Sequence, residues 1–248
     1  MKILVCISQV PDTTTRVAVG TDGRSINPAG VKFILNPYDE FAIEEGLRLR
    51  EKHGGTVTTV TVGPDTSKEV LRTALAMGSD TAVLVKDDAR ADSFVVASAI
   101  AELARDVQPD VVLFGRQSID FDSFVLPSFV AELLGWPNVS MVSALEIEGT
   151  DVRAERDIEG GKERVSSSLP CVISAQKGLN DPRYPKLPDI MKAKSKPIEE
   201  RAASAAQQRV ETLSMTLPET KRLNRIVGDA DTDIAQIVQL LHEEAKVI

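Results

Sequence analysis

Short, uninterrupted apolar or β-branched runs recur at residues 2–7, 56–62, 81–85 and 111–114. Runs without polar alternation predict strands buried on both faces, as in a parallel sheet. Between them lie segments of helix length at 37–52, 67–77, 93–107 and 123–134. Asn36 stands before Pro37 as a helix cap with proline at the first helical position, and Thr66 with Glu69 has capping-box spacing. Strand and helix alternating at these lengths predict βαβ units and an open, doubly wound, mostly parallel α/β sheet.

After Trp136 the pattern changes to strand-like runs at 138–148, 151–157, 163–168 and 171–175, which extend the same core. From Lys177 onward the chain is rich in proline and charge, then in alanine, and helical periodicity returns only at 232–246. The expected organisation is a nucleotide-binding α/β domain over 1–176, followed by an arm over 177–248. The arm is expected to pack on a partner rather than on its own core.

At 248 residues the chain is long enough for a full core. Its 29 basic and 37 acidic residues give a net charge of −8, which argues against nucleic acid as a partner. Cys6 and Cys171 both fall in apolar strand-like runs, so they read as reduced core thiols rather than a disulfide or a metal site. Met1-Lys2 leads into a short β-run unlike a signal peptide, and no apolar stretch approaches 18 residues. A cytoplasmic protein without stable membrane insertion is expected.

In a doubly wound sheet, ligands bind beyond the carboxyl ends of strands near the topological switch point. The loops of interest are therefore Ser8-Gln9-Val10-Pro11-Asp12-Thr13, Gly63-Pro64-Asp65-Thr66-Ser67, and the run from Gly115 through Arg116, Gln117, Ser118, Ile119, Asp120, Phe121 and Asp122 to Ser123. A helix starting at Ser123 after a Gly-led loop presents free N–H groups and a positive dipole end to a phosphate. Equally, Ser67 and Ser123 read as plain helix caps. Neither GxGxxG nor a Walker A pattern is present. His53 suits the C-terminus of a helix, and His242 lies on the exposed side of the last one. No Ser/His/Asp set, supported carboxylate pair or metal-ligand spacing can be assembled, so no catalytic or metal residues are expected.

The run from Ala154 to Val165, with Arg156, Glu159-Gly160-Gly161, Glu163 and then Leu169-Pro170-Cys171, reads as a β-hairpin. Its order also resembles the signature of the electron transfer flavoprotein beta subunit family. Five further stretches are similar to motifs of that family, in its order: Gln9-Val10-Pro11-Asp12, Asn36-Pro37-Tyr38-Asp39-Glu40, Arg72 to Gly78, Gly115-Arg116-Gln117-Ser118-Ile119-Asp120, and Asn180-Asp181-Pro182-Arg183-Tyr184 continuing through Leu187-Pro188 to Lys194. The resemblance implies an adenine-nucleotide alpha-hydrolase-like sheet and a heterodimer with an alpha subunit. One FAD would be held mainly by that subunit and shared at the interface. AMP, or in bifurcating members a second FAD, would sit in the beta subunit. Electrons would pass from flavin dehydrogenases to a membrane quinone reductase or another acceptor, with the flavin supplying the chemistry and the protein acting as a carrier without catalytic residues of its own.

Carried over by position, the resemblance puts Cys6 beside the base, Asn36 at the helix start, Ser67 after the second strand, and Gly115, Gln117, Asp120 and Ser123 around the phosphate. Tyr38 would face the flavin. One stretch departs: where the family has small and amide residues, this chain has Phe121, Phe124, Val125, Leu126 and Pro127. Donors are lost there, which predicts a weaker phosphate site, with the nucleotide seated differently, bound weakly or absent, and argues against a second flavin. For the arm the resemblance implies partner docking through Leu187, Ile190, Met191, Lys192 and Lys194, with Leu187 entering an apolar pocket on a dehydrogenase. Two other readings share the architecture. A stand-alone adenine-nucleotide-binding module needs neither hairpin nor arm, and a nucleotide hydrolase needs a glycine-rich loop after the first strand that 8–13 does not supply.

Overall fold

The computed structural model describes residues 1–87, 92–202, 204–218 and 226–248. In chain order the elements are β1 (Lys2–Cys6), β2 (Gln9–Pro11), β3 (Phe33–Leu35), α1 (Pro37–His53), β4 (Thr56–Gly63), α2 (Lys68–Met77), β5 (Thr81–Lys86), α3 (Ser93–Val107), β6 (Val111–Gly115) and α4 (Val125–Leu134). They continue with β7 (Asn138–Glu148), β8 (Asp151–Ile158), β9 (Gly161–Ser168), β10 (Cys171–Ala175), α5 (Leu187–Ser195), β11 (Glu199–Arg201) and α6 (Asp231–Gln239).

Nine strands form one sheet in the order β11-β5-β4-β1-β6-β10-β7-β8-β9. Every pairing from β11 to β7 is parallel, and β7, β8 and β9 run as an antiparallel meander. This is the doubly wound α/β sheet the pattern predicts. From β1 the chain steps outward through β4 and β5, then returns to place β6 on β1's other side. The switch point therefore lies between β1 and β6, and their carboxyl ends open a crevice there.

Alternation along the strands divides the core. Ile3 and Val5 of β1, Leu113 of β6 and Ile173 of β10 pack with Ile43 and Leu47 of α1 and Leu71 of α2. Leu4 and Cys6, Val112 and Phe114 face the opposite layer, with Ile100 and Leu103 of α3 and Val130 of α4. Both faces are covered, which is why these strands read as continuous apolar runs. The two cysteines fall in different layers, Cys6 towards α3 and α4 and Cys171 towards α1 and α2. Both are free and buried, and burial pushes the Cys171 thiol up to about 12.

The hairpin forms as the sequence predicts. Ile158 pairs with Gly161 across a two-residue turn, and Gly160 takes the left-handed conformation at φ +81°. Helix starts differ from expectation at three places. Asn36 precedes α1 but makes no side-chain cap. The second helix begins at Lys68 after a 3₁₀ turn at Asp65–Ser67, and Thr66 donates its hydroxyl to Gln9 Oε1 instead of capping. The fourth begins at Val125, two residues after Ser123, with Phe124 as its cap residue at φ −98°, ψ 4°.

The front of the arm packs on its own core, contrary to the expectation that the arm as a whole packs elsewhere. Arg183 reaches Glu44 and Glu51 of α1, and Asn180 donates to Glu45 Oε2 at 2.9 Å. Arg72 of α2 donates to the carbonyls of Ala193 and Lys194, both at 2.9 Å. Strand β11 then extends the sheet along β5. Beyond it, Arg209 and Val210 donate their amides to Asp92 at the head of α3, and Met215 donates to the Gly23 carbonyl at 2.7 Å. Residues 203 and 219–225 of the arm lie outside the described residues.

Candidate functional site at the switch point

The crevice is organised by the first turn of α1. Asn36 and Asp39 are buried at 0% and 4% exposure, and each bridges chain segments that are distant in sequence. Asp39 accepts from the backbone amides of Ser8 at 2.7 Å and Gly115 at 3.1 Å, tying the loop after β1 to the end of β6. Asn36 donates to the Gln117 carbonyl at 2.8 Å and accepts from the Ile119 amide at 3.3 Å. The side chain expected to cap a helix instead holds the loop after β6.

Close approach here requires glycine. A Cβ on Gly115 would stand 2.3 Å from Asp39 Oδ1 and 2.6 Å from the Tyr38 carbonyl carbon. Burial drives the Asp39 carboxyl up to about 7 against the opposing hydrogen bonds from Asn36, Ser8 and Gly115. Burial, with a smaller contribution from Asp39, pushes the Cys6 thiol well above its ordinary value.

A second junction joins the loops after β1 and β4. Gln9 Oε1 accepts from Ser67 Oγ at 3.1 Å and Thr66 Oγ1 at 3.3 Å, and Gln9 Nε2 donates to the Thr66 carbonyl at 3.1 Å. Gly63 leaves room for Ser67, whose Oγ would lie 2.7 Å from a Cβ there.

The rim is aromatic and acidic. The Arg116 guanidinium carbon lies 5.9 Å from the centroid of Tyr38 and 5.0 Å from that of Phe124, within cation–π reach of both rings. Gln117 Nε2 donates to Asp122, and Asp120 accepts from the Phe121 amide at 2.9 Å. Phe121 is 78% exposed.

Of the residues expected at a nucleotide, Asn36, Tyr38, Gly115, Gln117, Asp120 and Ser123 gather along this one stretch. Ser67 joins through Gln9, and Cys6 lies beneath in the α3–α4 layer. Asp39, Gln9 and Arg116 carry the geometry without being among the expected site residues. All three stand in stretches similar to the family's motifs, but an acidic first-turn residue and a loop amide give no signal of long-range bridging. Among the described residues no three of His, Cys, Asp and Glu converge as a metal site would need.

The expected docking residues lie on α5. Leu187 is 73% exposed, Ile190 37% and Met191 58%. Lys192 and Lys194 are exposed, while Ala193 is buried. The helix is thus seated by one small residue and two backbone carbonyls held by Arg72, leaving its apolar and basic side chains outward.

Residues 24–206 match the electron transfer flavoprotein domain. The chain is 40% identical to the electron transfer flavoprotein subunit beta of Bacillus subtilis over the full length of both. It is 41% identical to the protein of the same name from Syntrophomonas wolfei, over all of this chain and 98% of the relative. The human protein of that name is 39% identical across 80% of each chain.

Proposed function

The chain belongs to the electron transfer flavoprotein beta subunit family, and from that premise we propose that it pairs with an alpha subunit to form a one-FAD electron carrier. The FAD is held mainly by the alpha subunit and shared at the interface. Flavin dehydrogenases donate the electrons, and a membrane quinone reductase or another acceptor takes them. The isoalloxazine supplies the redox chemistry when bound. This chain forms one wall of its site, excludes water from that side, and offers a landing place for donors.

The observation that carries the reading is the apolar surface of the arm. Leu187, Met191, Val210, Leu213, Ile234 and Val238 are each more than half exposed. Among the described residues α6 buries none of its side chains in this chain. Apolar side chains left outward over so long a segment fit a surface completed by another subunit. At the crevice, Tyr38 is partly exposed, with the Arg116 guanidinium carbon 5.9 Å from its ring centroid, which fits a residue that borders a flavin held elsewhere. The domain division follows the same logic, with 1–176 as the nucleotide-binding body and 177–248 as the docking and assembly arm. The proposed division of labour leaves this chain without catalytic residues of its own.

Among the described residues no helix is long and apolar enough to cross a membrane. Contact with a membrane quinone reductase would accordingly be a transient encounter from the aqueous side, in the cytoplasm. Co-expression with the alpha subunit tests the reading. A stable heterodimer carrying one FAD, absent when either chain is made alone, is expected; a chain that remains monomeric and colourless beside the alpha subunit refutes it.

A further inference from the structure

The family resemblance implies a nucleotide monophosphate in this subunit, and the residues at the switch point do not fit its phosphate. We propose that this chain has closed its phosphate site with its own side chains, so that the 5′-phosphate of AMP contributes nothing to binding and AMP is not retained in the heterodimer. The inference rests on the beta-subunit reading above.

Four observations converge. First, amides that an anion at the strand ends would use are already engaged. Ser8 and Gly115 donate to the Asp39 carboxyl group, whose oxygens already take both amides. Arg116 donates to the Ala175 carbonyl, Ile119 to Asn36, Phe121 to Asp120 and Asp122 to the Ser118 carbonyl.

Second, the start of α4 is a poor anion cradle. Its cap residue is Phe124, which has no side-chain oxygen or nitrogen, and Pro127 at the third helical position lacks an N–H. Phe124 and Val125 are 42% and 40% exposed, so apolar surface flanks the amides that remain.

Third, the local charge is wrong. Asp120 and Asp122 stand at the mouth, and among the described residues neither has an ion-pair partner. A phosphate carrying up to two negative charges would enter beside two carboxylates. Arg116, the cation the loop supplies, is engaged by the Tyr38 and Phe124 rings and donates to Gln176 Oε1 at 3.4 Å.

Fourth, the side-chain amide available for a ligand points the wrong way. Gln117 gives a side-chain N–H to Asp122, while its Oε1 is buried without a partner. An unpaired acceptor beside carboxylates complements hydroxyl or amine donors, such as those of a ribose or an adenine, and not phosphate oxygens. The buried Nε of Arg116 is also unpartnered. It is a donor, but it is buried, and the guanidinium carbon lies 5.9 Å and 5.0 Å from the Tyr38 and Phe124 ring centroids.

The heterodimer would be purified, heat-denatured, and its released nucleotides quantified by chromatography and mass spectrometry. The full-length chain and the heterodimer would then each be titrated with AMP and with adenosine by calorimetry. The expected result is less than about a tenth of an AMP per heterodimer, with AMP binding no tighter than adenosine. Stoichiometric AMP, or AMP binding at least about tenfold tighter than adenosine, a difference of about 1.4 kcal/mol, overturns the inference. Absence of binding by either ligand supports it. The FAD content of the same sample reports separately on the beta-subunit reading, so FAD together with AMP sinks the inference alone, and a heterodimer without FAD sinks the reading alone.

Discussion

Asp39 Oδ1 accepts a hydrogen bond from the backbone amide of Gly115 at 3.1 Å, joining the first turn of α1 to the end of the central strand β6. The same carboxyl group takes the Ser8 amide at 2.7 Å. One buried side chain therefore fixes the spacing of the two strands between which the sheet changes direction.

The contact leaves no space for a methyl group on residue 115. With a Cβ 2.3 Å from Asp39 Oδ1 and 2.7 Å from the Asp39 nitrogen, Gly115→Ala must displace the start of α1 or the end of β6. A loss of about 3 kcal/mol is expected, read as a lower urea midpoint with an unchanged m-value. A midpoint equal to that of the parent would show that the crevice is loosely held.

Asp39 also gives stability a distinct pH dependence. Its folded carboxyl sits at about 7, above the value of about 3.9 for an exposed aspartate. Below pH ~4 both folded and unfolded chains hold the proton. As pH rises to about 7, the native state keeps a proton that the unfolded chain has released, so this group's contribution to stability falls. The loss is on the order of 4 kcal/mol and is complete once the folded group ionises. Asp39→Asn should flatten that part of the stability profile, as measured by denaturant unfolding across pH ~4.5 to ~8. A profile of unchanged slope in the variant would assign the titration elsewhere.

Arg183 holds the start of the arm to α1 through Glu44, whose side chain is 7% exposed, and Glu51, whose side chain is 52% exposed. Arg183→Ala leaves the Glu44 carboxylate buried without its cation. A cost of about 2 kcal/mol is expected, with part recovered when Glu44→Gln is added. Full additivity of the two changes would mean that the pair is not coupled.

Strand β11 is clamped by Glu200, which accepts from Lys68 and Lys86, each at 2.6 Å. Glu200 and Lys86 are exposed and Lys68 is half-buried, so the clamp should weaken with salt. Glu200→Gln is expected to speed hydrogen exchange along the β5 and β11 edge a few-fold at low salt and much less at about 1 M. Equal effects at both salt concentrations would point to packing instead of charge.

Leu187 is 73% exposed at the start of α5, so Leu187→Ala should leave thermal stability within about 0.5 kcal/mol of the parent. Reduction of the heterodimer by a partner dehydrogenase should fall roughly tenfold in kcat/KM, as for a buried interface anchor, with FAD content unchanged. Unaltered reduction kinetics would remove Leu187 from the docking surface.

Periodicity made the parallel core legible, because strands covered on both faces must be apolar throughout and helices of ten or more residues repeat their stripe several times. The hairpin was legible too, since Gly160 meets a local conformational need. Strands β2, β3 and β11 have three residues each, too few for a period to show. Helix α5 buries only Ala193, so it shows almost no apolar stripe.

The sequence by itself determined the alternation of elements, the family, and which loops lie at the carboxyl ends of the strands, all properties of order along the chain. Only the tertiary structure decided what those loops do. Asn36 is spent on Gln117 and Ile119, Ser67 on Gln9, and Asp39 on Ser8 and Gly115. A side chain that looks like a helix cap becomes a strand tie when a partner up to 83 residues away in sequence is brought within hydrogen-bonding distance, and such pairing is set by strand order and not by local spacing.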